Sequence, residues 1–174
     1  MEKTSRGLKE WNAVIEALGQ GKQTVLIRKY GTSNKDFLLY PTHSYALRDK
    51  YLEIFQKKHR DFVKDNTLPS LKNGKTEIKY AVTVEKIIDR SPVRLTSFQK
   101  FHIWNKKHVK AYLNSGRAKI WIMRTYKLNK PLFTDKKGGM LYVKFPKKID
   151  IFDAEPVIAD SEFENLLEKI EKIS

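Results

Sequence analysis

Glu77-Ile78-Lys79 has the E-x-K spacing with which a metal-dependent nuclease holds a divalent ion and orients its attacking water. Residues two apart share one face of a strand, so Glu77 and Lys79 would project together. Asp65, or Asp61, would supply the second carboxylate for Mg²⁺. The chain carries 35 Lys and Arg residues, and in such a background three-residue matches arise by chance. The nuclease therefore stands as the alternative reading. The four histidines, His43, His59, His102 and His108, form no H-x-x-x-H pair, and no P-loop, G-x-S-x-G or dinucleotide fingerprint occurs. There is no cysteine, which excludes disulfides, thiolate nucleophiles and Cys-ligated zinc. The main reading has no catalytic residue, metal or cofactor; Mg²⁺ enters only with the alternative.

Binding chemistry is better represented. Lys and Arg exceed Asp and Glu by 35 to 20, a net charge of +15. A surplus of this size on a small protein favours a polyanion, most often nucleic acid. From Ser91 to Thr134 there is no acidic residue, while Lys100, Lys106, Lys107, Lys110, Arg117 and Lys119 interleave with Phe98, Phe101, Trp104 and Tyr112. Basic groups follow phosphates, and aromatics stack on bases or pack the core. A lysine-rich solvated surface of a heat-adapted protein gives the same composition. A basic subunit docking on an acidic protein is a third reading. No run of 18 apolar residues and no apolar leader is present, which predicts a cytoplasmic protein with no membrane partner.

The elements that must position these residues follow from periodicity. Leu8, Trp11, Val14, Ile15 and Leu18 predict a helix capped by Ser5 and stopped at Gly19-Gln20-Gly21. Lys22 to Tyr30 reads as a strand with Arg28 on the face of Leu26 and Tyr30, either in a buried ion pair or as a phosphate ligand. Asp36 to Tyr40 is a short apolar strand ended by Pro41. Tyr45 to Lys64 predicts a long amphipathic helix, and Glu77 to Ile88 the clearest strand. Thr96 to Gln99 has capping-box form, Asn105 to Asn114 reads as a helix closed by Gly116, and Ala118 to Leu128 as a strand. Lys127 to Lys137 reads as a basic loop, Met140 to Phe145 as the last strand, and Ser161 as the cap of a terminal helix. The hydrophobic content of 40% supplies a core for one domain over residues 1–174.

LKEWNAVIEALGQGKQTVLIRK from Leu8, Phe37 to Thr42 and Ile120 to Leu128 resemble the recurring blocks of DUF1802, a family of archaeal and bacterial proteins. That resemblance covers nearly the whole chain and carries no established activity; an association with restriction or defence is a neighbourhood hint. The family's Y-P-T block continues with an aromatic and then a His, whereas here His43 follows Thr42 directly. The helix followed by Gly21-Lys22 and Arg28 is similar to the entry of ASCH and other PUA-like domains. The resemblance implies an α+β fold, a PUA-like mixed β-barrel of about five strands with flanking helices, binding RNA or modified bases in a cleft. Some ASCH proteins are amidohydrolases using a Lys and a Thr on the first strand. Gln23 and Leu26 stand at those positions, which disfavours that chemistry here.

Together these observations predict a non-catalytic nucleic-acid-binding protein, with RNA favoured over DNA. Lys22, Arg28 and Lys29 would line one side of a basic cleft and Lys106, Lys107, Lys110, Arg117 and Lys119 the other. Tyr40, His43 or Trp104 would contact a base.

Overall fold

The structure is a computed structural model describing residues 3–139 and 141–173. Met140, expected to open the last strand, lies outside them. In chain order the elements are β1 (Lys3–Trp11), α1 (Asn12–Gly19), β2 (Val25–Arg28) and β3 (Asp36–Thr42). Three 3₁₀ turns (Ser44–Leu47, Tyr51–Ile54, Lys57–His59) lead into α2 (Arg60–Asp65) and the two-residue β4 (Leu71–Lys72). Then come β5 (Lys75–Arg90), a 3₁₀ stretch (Pro92–Phe101), α3 (Lys106–Leu113) and β6 (Ala118–Thr134). The chain finishes with β7 (Tyr142–Asp150), β8 (Glu155–Pro156) and α4 (Asp160–Glu171).

All eight strands belong to one sheet, ordered β2-β6-β5-β3-β1-β7, with β4 attached to β5 and β8 to β6. Its spine is the long antiparallel ladder of β5 and β6, from Thr76 opposite Thr134 to Arg90 opposite Ala118. β1 runs parallel to β3 and antiparallel to β7. Among the described residues no ladder joins β2 to β7, so the expected closed barrel of five strands is instead an open sheet of eight.

The undercount has a local cause. Leu8 and Trp11 share helical spacing with Val14 and Leu18, yet Lys3–Trp11 is a strand and the helix starts only at Asn12. Pairing on both edges, by β3 and β7, outweighs the short-range apolar pattern. Gly7 supports it: a side chain there would start 3.0 Å from the Phe145 ring of β7. Lys22 to Tyr30 likewise contracts to Val25–Arg28.

The predicted helix Tyr45 to Lys64 breaks into turns plus α2. Lys50 adopts a left-handed φ of 52°, and the backbone finds partners elsewhere. Gln56 N donates to Ile103 O at 2.9 Å, Asn105 N to Ile54 O at 2.9 Å, and Phe55 bridges to Trp104. These bonds tie the segment to the approach of α3. In the opposite sense, Lys127 to Thr134 is strand and not loop. Pro131 is tolerated where the register shifts between Ile78 and Tyr80, a bulge that asks for no regular donor.

Cap signals are mixed. Asn105 caps α3 through its side chain, accepting from His108 N at 2.7 Å, but the helix closes on left-handed Asn114 and not on Gly116. Neither Ser161 nor Thr96 caps. α4 starts two residues earlier, after Ala159, and Gln99 instead donates from its side chain to Trp104 O. The main core packs Leu8, Leu18, Leu26, Phe37, Phe55 and Trp121, all essentially inaccessible.

Candidate functional site

A cavity of about 410 Å³ opens where the ends of β1, β2 and β3 converge beneath α3. This lies in the size range of small-molecule sites, roughly 300–1,000 Å³. Parallel pairing of β1 with β3 places Trp11 opposite Thr42, so Lys9, Glu10 and Trp11 border the cavity beside Thr42 and Ser44. β2 contributes Ile27 and Arg28, with Tyr30 just beyond. Asn105 starts α3 at an angle that turns His108, Val109 and Tyr112, one face at helical spacing, onto the cavity. Trp104 enters from the same segment, and Gly139 and Leu141 complete the wall.

Its polar centre is a buried ion pair, Arg28 Nη2 with Glu10 Oε2. Glu10 Oε1 accepts from Trp11 N at 2.9 Å, and Arg28 Nη1 donates to Ile27 O at 3.2 Å. Arg28 Nε is buried with no acceptor. Burial works against the Arg28 charge; Glu10 outweighs it, and the guanidinium pKa is raised, so the group stays ionised. The pair joins strands that are not neighbours in the sheet. It therefore spans the side on which a barrel would have closed.

Lys9 extends its ammonium to Lys137 O at 2.6 Å and Gly139 O at 2.8 Å, lying over the Tyr40 ring. This clips the segment before β7 to the cavity rim. Trp11 packs against Tyr45 with ring centroids 4.9 Å apart, with Arg48 over it at 5.2 Å and His108 at 5.8 Å. Burial lowers the His108 pKa, Arg48 adds to the effect, and Glu10 opposes it, so the imidazole is held neutral. Burial raises the Tyr30 phenol, against the pull of Arg28. Chemically the cavity offers aromatic walls, guanidinium N–H groups and a carboxylate, which suit a planar heterocycle bearing both donors and acceptors.

Of the residues expected from sequence, Arg28 and Trp104 meet here, and Arg28 is the buried ion-pair member. His43 sits between two lining residues without lining the cavity itself. Tyr40 is buried, its hydroxyl accepting from Lys137 N at 2.9 Å. Lys29 lies 5.3 Å from the centroid of the Tyr112 ring and Lys22 5.3 Å from that of Phe62, so only Lys29 reaches the rim. Lys106 and Lys110 border a smaller pocket with Gln99 and His102 on the other side of α3, and Lys107 is exposed. Arg117 and Lys119 both bind Asp89, which also bonds across the ladder to neutralise part of the acid-free stretch. The eight expected cations thus do not share one cleft.

Lys79 sits at the register shift between Ile78 and Tyr80, where residues 128–131 of β6 bulge, and Glu77 precedes it. Lys79 turns to Glu16 and lies over the Tyr80 ring, while Glu77 stands opposite Phe133, and Asp65 ends α2. Among the described residues no three His, Asp or Glu side chains are grouped to hold a metal ion. Sequence reasoning missed Lys9, Glu10, Trp11, Tyr30, His108 and Tyr112 as site residues. The available signal was Glu10-Trp11 beside an isolated strand arginine, obscured by the helical reading of Leu8 to Leu18.

Comparison with known proteins agrees with this architecture. The ASCH protein of Zymomonas mobilis is similar over 94% of this chain and 93% of its own, with a TM-score of 0.50 and 10% identity. Its serine-to-alanine mutant gives 0.51 and 11% identity, over 94% of each chain. Its tyrosine-to-phenylalanine mutant gives 0.50 and 10%, over 94% and 96%. At such identities the likeness shows an ASCH-like α+β fold and nothing finer. No curated protein matches the sequence. The model of DUF1802, described as a domain of unknown function, matches residues 7–169, and the chain belongs to that family.

Proposed function

We propose that this protein binds nucleic acid, RNA in preference to DNA, by seating one unstacked base in the cavity at the ends of β1, β2 and β3, without cutting the strand. The observation that supports this is an aromatic-walled cavity with a buried Glu10–Arg28 pair in a chain of net charge +15. Trp11, Trp104 and Tyr112 offer ring surface for stacking, which is tolerant of sequence. Lys29, Lys106, Lys107 and Lys110 stand around α3, where they can follow the phosphates of a strand entering the cavity.

Titration of labelled single-stranded RNA and DNA at several salt concentrations tests the reading. With about six phosphates contacted, log K falls against log salt with a slope near −4. Absence of binding at low salt overturns it.

A further inference from the structure

Within the proposed nucleic-acid reading, on which this step rests, we infer that the cavity selects guanine through Glu10 and Arg28. A carboxylate has about four acceptor sites, two on each oxygen. Glu10 Oε1 uses one on Trp11 N, and Oε2 one on Arg28 Nη2. One site remains on each oxygen. Of the five N–H groups of Arg28, one on Nη1 goes to Ile27 O and one on Nη2 to Glu10, which leaves one on each of these nitrogens and the buried, unpartnered Nε–H. The cavity wall therefore carries two adjacent acceptors with the remaining guanidinium N–H groups beside them.

Guanine is complementary to that set. Its pairing edge presents two adjacent donors, N1–H and the 2-amino group, next to the O6 acceptor. Cytosine offers one donor and two acceptors, and uracil one donor between two acceptors. Either would turn a carbonyl toward a carboxylate oxygen. Adenine has one donor and one acceptor, leaving half of Glu10 unanswered, and an unmade bond at a buried polar group is what generates discrimination. A bare anion would satisfy Arg28 Nε but place a negative charge against Glu10. The pairing of Glu10 with Arg28 fixes the carboxylate in place, so the pattern exists before the ligand arrives.

The test uses the wild-type protein with five single-stranded RNAs that differ at one central position: G, A, C, U or inosine. The G strand binds about tenfold more tightly than the A, C or U strands, the discrimination typical of a bidentate contact. Inosine keeps N1–H and O6 but lacks the 2-amino group, and binds about fivefold more weakly than G. Equal affinity for all five strands, with salt-dependent binding retained, overturns the guanine assignment and leaves the nucleic-acid reading standing. Failure of every strand to bind at low salt removes both. Glu10→Gln, checked for folding by circular dichroism, abolishes the preference for G; a folded variant that keeps it overturns the assignment. If that variant does not fold, the inosine comparison decides alone. Free GMP is the competitor for source. Displacement by GMP at the strand's own concentration supports guanine and shifts its source to a mononucleotide, against the nucleic-acid reading.

Discussion

Two buried ion pairs, built from similar parts, do different work. Glu16 on α1 pairs with Lys79 on β5 and also accepts from the Tyr80 hydroxyl at 3.3 Å. Burial and the Glu16 charge together raise the Tyr80 phenol, which stays protonated and donates. A methyl group on Gly19 would fall inside the Tyr80 ring, so helix and strand touch there without a gap. Every group in that cluster has an answering partner, and it fastens α1 to the sheet. Glu10–Arg28 is as deeply buried on the acid side, yet it borders a cavity and leaves the Arg28 Nε unmatched. Burial alone does not mark a binding residue. Burial with an unmet hydrogen-bonding position beside open space does.

The largest expected effect separates the two pairs directly. Arg28 has 10% of its side chain exposed and cannot reach water when its partner is removed, whereas Lys79, at 30%, can swing outward. Glu10→Ala therefore costs about 3–5 kcal/mol in urea unfolding, the penalty of a stranded buried charge. Glu16→Ala costs about 1–3 kcal/mol, mostly the unpaired Tyr80 hydroxyl. A reversed order would break the distinction. Adding Arg28→Met to Glu10→Ala recovers much of the loss, as expected for a buried pair replaced by apolar groups.

Acid tests another buried, unmet position, on the far side of α3 from the cavity. His102, beside Trp104, is buried with Nδ1 unpartnered, and burial lowers its pKa to about 4. The unfolded chain, with an ordinary value near 6.5, binds this proton first as pH falls. Stability from His102 is thus complete above pH 6.5, declines between 6.5 and 4, and is level below. The loss by pH 4 is on the order of 3 kcal/mol. Urea unfolding across that window shows the decline, and His102→Gln flattens it. Gly19→Ala, on the closed side, costs about 1–3 kcal/mol through overpacking on Tyr80. A neutral outcome would mean that this contact is looser than the cavity wall. The smallest effect belongs to the rim: Lys110→Ala leaves thermal stability unchanged and lowers the salt slope for single strands by about 0.7.

Much of the sheet was legible from sequence because β5 and β6 alternate strongly and carry β-branched and aromatic residues. α3 was legible because Asn105 caps it. The first strand was not, since Leu8 and Trp11 share the spacing of a helical face and only their partners in β3 and β7 reveal otherwise. Arg28 and Trp104, singled out on local grounds, line the cavity. Glu10, Tyr30 and His108 could not be singled out that way, because the cavity exists only where three strand ends, distant in sequence, meet one helix. The acid-free stretch also overstated free charge: Asp89, one rung across the β5–β6 ladder, holds both Arg117 and Lys119.

The placement of β1 between β3 and β7 has a consequence in time. On a translating ribosome β1 is made first and meets β3 soon after, but its other edge waits for Tyr142–Asp150. At ordinary elongation rates that wait is on the order of ten seconds. Throughout it, a half-paired strand is open to edge-to-edge association with other nascent chains. The same interval leaves Lys9 without the carbonyls of Lys137 and Gly139. Completion of the cavity wall is therefore a late event that waits for β7 and the segment before it.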